Sequence, residues 1–155
     1  MKRIIYPIGH GGFFVEIFTN EAFIYDCGSF NKNKVTTEVN TFIKCISKLN
    51  LKYITIFISH FDYDHVNAIP YLVGEIIALK IKINVVLPYR SAESTFIDYL
   101  IGYRYNENNI KAVTHFEEYL NTQMCQTNTT GFIKIIYCNY EYGTESNEDS
   151  YTSEQ

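Results

Sequence analysis

The stretch FISHFDYDHVNAIP, residues 57–70, places two histidines and two aspartates within six positions: His60, Asp62, Asp64 and His65. Carboxylates this close repel one another, so a positive partner is expected among them, and a divalent metal is the usual one. Residues two apart on a turning loop can converge on one point. His60 and Asp62 could thus share one ion, and Asp64 and His65 a second beside it. Two divalent ions about 3.5–4 Å apart can activate a water and steady the leaving oxygen of an ester or amide, which is hydrolytic chemistry. The competing reading is a helix-capping loop, in which Asp62 or Asp64 accepts backbone N–H groups and the histidines are merely polar. Capping accounts for one aspartate but not for the whole His-x-Asp-x-Asp-His arrangement.

The elements around the cluster decide whether it can work as a site. Residues 3–9, 12–19 and 22–28 read as three strands, the first two joined at Gly9–Gly12. In residues 31–50, Val39, Phe42, Ile43, Ile46 and Leu49 have the spacing of one helix face, with Thr36 or Thr37 available as a cap. Residues 53–59 are a near-continuous β-rich run, as expected of a strand buried on both faces. Residues 67–80 then predict a helix with Ile69, Leu72, Val73 and Ile76 on one face and Pro70 in its first turns. A strand at 81–88, helices at 92–103 and 112–120, and a last strand at 131–138 complete the pattern. The cluster is therefore placed at the C-terminal end of a central strand, running into a helix, where α/β proteins hold ligands.

At 155 residues, 46% hydrophobic and 16% aromatic, the chain suits one domain with a real core and excludes wholesale disorder. We read residues 1–140 as that domain and residues 141–155, with five acidic residues and no Lys or Arg, as an acidic tail open to disorder. Without the tail, 13 basic residues face 12 acidic ones, and five lysines lie between Lys32 and Lys52 against the single Glu38. Such a mildly basic face is an ordinary solvated surface or a nucleic-acid contact. No apolar run reaches the roughly 18–20 residues of a membrane span, so no membrane association is expected. The four widely spaced cysteines suggest neither a zinc knuckle nor a disulfide framework, and a cytoplasmic location fits. Neither a serine nor a cysteine nucleophile is indicated, since Ser59 lacks the glycines of a nucleophile elbow.

The motif HFDYDH resembles the H-x-H-x-D-H signature of the metallo-β-lactamase fold superfamily, with Asp62 in place of the second histidine. The H-x-D-x-D-H variant is similar to that of the hydrolase domain of bacterial DNA-uptake channel proteins and their soluble relatives. The opening PIGHGGFFVEIFTNEAFIYDCGS also resembles the family's first hairpin and its strand ending in D-C-G. The resemblance implies an α/β fold, an αββα sandwich, and a metal-dependent hydrolase acting on an ester or phosphodiester through a metal-bound hydroxide. It implies His60 and Asp62 as ligands of one metal, and Asp64 and His65 as ligands of a second, with Asp64 also orienting the water. Asp26 would support the ligands from beneath, and His10 stands where relatives carry a polar residue near the site. One or two ions are implied, zinc or manganese; the carboxylate of Asp62 makes manganese or iron credible beside zinc. Nucleic acid or a small ester is the implied substrate.

The resemblance covers roughly the first 75 residues. The family's later residues, a His near a Gly-rich turn, a bridging Asp in T-G-D and a further His, have no convincing counterpart here, His115 lacking the glycine context. The second half of the sandwich is therefore expected to be incomplete and the chain by itself nearly inactive. Two readings stand: a short hydrolase of this fold, or a catalytically incomplete portion that binds a second polypeptide completing the domain.

Overall fold

A computed structural model of the chain describes residues 1–88, 118, 122 and 133–138. They build an α/β fold: one six-stranded mixed sheet, in the spatial order β1-β2-β3-β4-β5-β6, with two helices packed on it. Strands β1 (Lys2–Ile5), β2 (Gly11–Ile17) and β3 (Glu21–Ser29) form an antiparallel meander. Strands β4 (Tyr53–Phe57), β5 (Lys82–Pro88) and β6 (Ile133–Cys138) continue it in parallel with β3. The crossovers β3 to β4 and β4 to β5 run through helices α1 (Lys32–Ile46) and α3 (Ile69–Ala78), and the single turn α2 (Tyr63–Val66) precedes α3. The predicted helix at 92–103, the acidic tail and Cys125 lie outside the described residues, as does the helix at 112–120 with His115, apart from Glu118, which is helical.

Strand periodicity of two explains the core. Val15 and Ile17 of β2, Ala22 and Ile24 of β3, Ile54 and Ile56 of β4, and Ile83, Val85 and Leu87 of β5 are all buried, facing the helices. Against them α1 lays Val35, Val39, Phe42 and Ile46, and α3 lays Ile69, Leu72, Val73 and Ile76, the face its sequence predicts. Tyr6, Phe13 and Phe42 close the α1 side of this core, with Tyr6 stacked on Phe13 at 4.5 Å between ring centroids and Phe42 edge-on at 5.9 Å from Phe13.

The α1 boundaries differ from expectation at both ends. The N-cap is Asn31, whose side chain accepts the Lys34 N–H, and not Thr36 or Thr37; the Thr37 hydroxyl donates back to Asn33 O instead. The earlier start brings Val35 into the core stripe, and Leu49, beyond the helix end, is exposed. Strand β1 also stops before Pro7, which has no N–H to give the ladder.

The opposite face of the sheet carries an apolar row. Register pairs Ile5 with Phe14, Phe14 with Tyr25, Tyr25 with Phe57, Phe57 with Val86 and Val86 with Ile136, so one row crosses all six strands. Ile5, Phe14 and Tyr25 are exposed, and the other three are half-buried.

Candidate functional site

Strand β4 delivers the cluster. Just past its end the buried Ile58 still donates its N–H to Val86 O of β5 at 2.9 Å, and the chain then leaves the sheet at Ser59. His60 and Asp62 lie on the loop, with exposed side chains, whereas Asp64 and His65 lie on α2 and are mostly buried. The expected loop thus gives way to a helical turn after Asp62, because Asp62 O accepts both His65 N–H and Val66 N–H. Asp62 occupies the N-cap position of that turn, yet its side chain makes no capping bond, so capping does not account for it.

The end of β3 holds this turn in place. Asn67 grips Ser29 through two hydrogen bonds, Ser29 N–H to Oδ1 at 3.1 Å and Nδ2–H to Ser29 O at 2.7 Å, and Ala68 N–H donates to Cys27 O at 3.1 Å. The approach is so close that a Cβ on Gly28 would stand 2.6 Å from the Asp64 carbonyl carbon. Gly11, at a φ of +120°, lies against the same backbone from the hairpin side, and a side chain there would meet Asp64 O and Gly28 O.

Beneath the cluster sits Asp26, buried and in the left-handed region at a φ of +55°. It accepts three hydrogen bonds: Ser59 N–H to Oδ1 at 2.8 Å, Ser59 Oγ–H to Oδ2 at 2.7 Å, and His65 Nδ1–H to Oδ2 at 2.9 Å. An ionised carboxylate can only accept, which decides the protons around it. His65 donates from Nδ1, and in the neutral imidazole that tautomer leaves a lone pair on Nε2. Ser59 spends its one hydroxyl proton on Asp26, so its oxygen accepts from His60 Nδ1 at 2.8 Å, and the His60 Nε2 lone pair is also free. Ser59, which lacks the glycines of a nucleophile elbow, instead transmits the orientation set by Asp26 to a second histidine, a role its sequence context does not announce beyond its position directly before His60.

Those free nitrogens face carboxylates. His60 Nε2 is 3.3 Å from Asp62 Oδ2, and His65 Nε2 is 3.9 Å from Asp64 Oδ2, while the two imidazole rings lie 3.9 Å apart between centroids. Lone pair against lone pair at these distances is repulsive unless a cation or proton sits between. The donor chemistry therefore fits a divalent ion, with each imidazole oriented through its other nitrogen, as metal-ligating histidines are. The four donors form two pairs, however, and among the described residues no group of three or more His, Cys, Asp or Glu side chains is placed to hold one ion. His10 is exposed at the bend before β2, next to Gly11, whose backbone lies against Asp64, and makes no hydrogen bond, ion pair or ring contact to a described residue.

Cys27, next to Asp26, is fully buried; burial pushes its thiol well above the usual range, and the Asp26 charge adds to this. It is a core residue here, and Cys45 and Cys138 are likewise free thiols. No described helix is long and apolar enough to cross a membrane. No family model, curated protein or solved structure matches this chain.

Proposed function

We propose that the chain is a metal-dependent hydrolase of the metallo-β-lactamase type, acting on an ester bond, with a phosphodiester as the favoured class and nucleic acid as the favoured substrate. The observation that carries this reading is the facing of His60 with Asp62 and of His65 with Asp64, both imidazoles being tied through Nδ1 to Asp26, His65 directly and His60 by way of Ser59. His60 and Asp62 would hold one ion, and Asp64 and His65 a second, zinc or manganese suiting this mixed imidazole and carboxylate set. A bound ion of this kind lowers the pKa of water toward neutrality and polarises the ester oxygen. The protein's own part is orientation and proton handling. Asp26 orients both imidazoles, directly and through Ser59, and Asp64, the more buried carboxylate, would orient the attacking water by accepting a hydrogen bond from it. With two donors per ion among the described residues, affinity and rate are both expected to be low.

The finer fold reading belongs to the same proposal: the sheet with helices on one face is one half of an αββα sandwich. The apolar row from Ile5 to Ile136 supports a second layer on the other face. That row also favours a second reading, in which the chain is a binding module completed by another polypeptide laid on Phe14, Tyr25 and Phe57.

A screen of the chain with manganese and with zinc, against bis-p-nitrophenyl phosphate, a thioester and single-stranded DNA, tests the reaction class. Slow phosphodiester turnover, lost in a His60→Ala, His65→Ala double variant, is expected. Turnover of the thioester alone sinks the phosphodiester choice, and metal retained equally by both proteins after dialysis removes these histidines from the site.

A further inference from the structure

Beside the cluster lies an aromatic pair that the core does not use. Phe30, the residue after β3, is 61% exposed, and its ring stacks on Tyr63 with centroids 6.1 Å apart and planes 26° apart. Tyr63 stands in the chain between Asp62 and Asp64, and Lys32 Nζ lies 5.6 Å from the centre of its ring. The pair is built by the same contacts that build the site, because Asn67 ties Ser29 to the end of α2 and so brings Phe30 over Tyr63. Lys32 and Lys34 open α1 next to it, both exposed and neither in an ion pair with a described residue.

We infer that Phe30, Tyr63 and Lys32 form a subsite for a nucleobase carrying a phosphate, and that its ligand is a single-stranded nucleic acid led toward the His60–His65 loop. An aromatic surface next to lysines is what strand binding without sequence preference requires: a ring for the base face and a cation for the backbone. Tyr63 holds one side of Phe30 and Lys32 sits over Tyr63, so little ordering remains to be done when a base arrives. Because Tyr63 stands between Asp62 and Asp64 in the chain, a neighbouring phosphate of the same strand would lie near those two carboxylates. Those two carboxylates repel it until a cation covers them. The inference rests on the hydrolase reading only for this last step.

The chain has no tryptophan, so Phe30→Trp supplies a single fluorescent reporter in the subsite itself. The full chain is titrated in EDTA at low salt with a twelve-residue oligodeoxyadenylate and, separately, with AMP. Expected are quenching of Trp emission by the oligonucleotide at concentrations at least tenfold below those needed with AMP, and a roughly 5- to 150-fold loss of oligonucleotide affinity in Phe30→Ala, the range for one lost stack. Lys32→Gln should lower the salt dependence of log affinity by about 0.7, one phosphate contact. Binding without quenching, wild-type affinity in Phe30→Ala, or no oligonucleotide binding overturns the subsite; equal potency of AMP overturns the strand as its ligand. Because EDTA suppresses metal-dependent cleavage, quenching without any later turnover keeps the subsite and removes the hydrolase reading. Turnover of bis-p-nitrophenyl phosphate without quenching does the reverse.

Discussion

His65 hangs from Asp26 by a single hydrogen bond, Nδ1 to Oδ2 at 2.9 Å, across 39 residues of chain. Through it a buried carboxylate on β3 fixes both the rotation and the tautomer of an imidazole on α2. Asp26→Asn isolates that function, since asparagine tolerates the left-handed backbone at this position better than most residues. The amide can keep only one acceptor. Turned one way, its NH2 meets the Ser59 N–H; turned the other, it donates to His65 Nδ1 and moves the imidazole proton to Nε2, where it blocks the lone pair. Metal affinity should fall roughly 10- to 100-fold, with a stability loss of about 1–3 kcal/mol. Isothermal titration with manganese and a urea melt measure the two; unchanged affinity would take Asp26 out of the orienting role.

Ser59→Ala separates the two histidines. The Ser59 backbone N–H still reaches Asp26 Oδ1, and His65 keeps its own bond, but His60 Nδ1 loses its acceptor among the described residues. Binding at the His60–Asp62 pair should weaken about tenfold while the Asp64–His65 pair is spared. Ser59→Thr restores the hydroxyl and should restore affinity, an outcome that a purely structural role for Ser59 would not give. Two-step manganese titrations of the three proteins show whether only one step moves.

Gly28→Ala tests the seating of α2. The new methyl would lie 2.6 Å from the Asp64 carbonyl carbon and 2.7 Å from that of His65, both backbone atoms, so the turn itself must move. Overpacking of this kind costs about 1–3 kcal/mol. Thermal melts should show a drop of several degrees, accompanied by loss of metal binding; a wild-type melting temperature would mean the turn shifts freely.

What the sequence makes legible is whatever depends on local periodicity. The face of α3 and the placing of the cluster after β4 follow from spacing three or four residues apart and from the order of elements. By contrast β4, expected to be buried on both faces, buries only Ile54 and Ile56 and leaves Tyr53 exposed and Thr55 and Phe57 half-buried, because the described helices cover one face of the sheet. The cap of α1 is Asn31 rather than a threonine; Asn31 and Thr36 carry equivalent local signals, and the choice between them depends on Val35 reaching a core that only the folded sheet supplies. Ser59 and Asn67 escape notice for a related reason: their partners, Asp26 and Ser29, lie 33 and 38 residues away, and nothing in a polar residue's neighbourhood announces a distant acceptor. Phe30 reads as a loop residue until Tyr63 is brought under it.

Tyr6 gives the fold a signature in alkali. Burial, with smaller contributions from Cys45 and Glu38, pushes its phenol up to about 12 from an ordinary 10. In the unfolded chain the same group ionises near 10, so between those values the unfolded state binds fewer protons, and stability must fall as pH rises. The contribution is complete below pH 10 and is lost at up to about 1.4 kcal/mol per pH unit until the folded group also ionises. Tyr6→Phe keeps the ring stacked on Phe13 at 4.5 Å but has nothing to titrate. Urea melts at pH 9.5 and 11.5 should therefore show the wild type losing roughly 2 kcal/mol more than Tyr6→Phe. The comparison cancels the other groups that ionise in this window, including buried Cys27, whose thiol is also held neutral. Equal losses in the two proteins would mean that the Tyr6 hydroxyl is reached by water in the folded state.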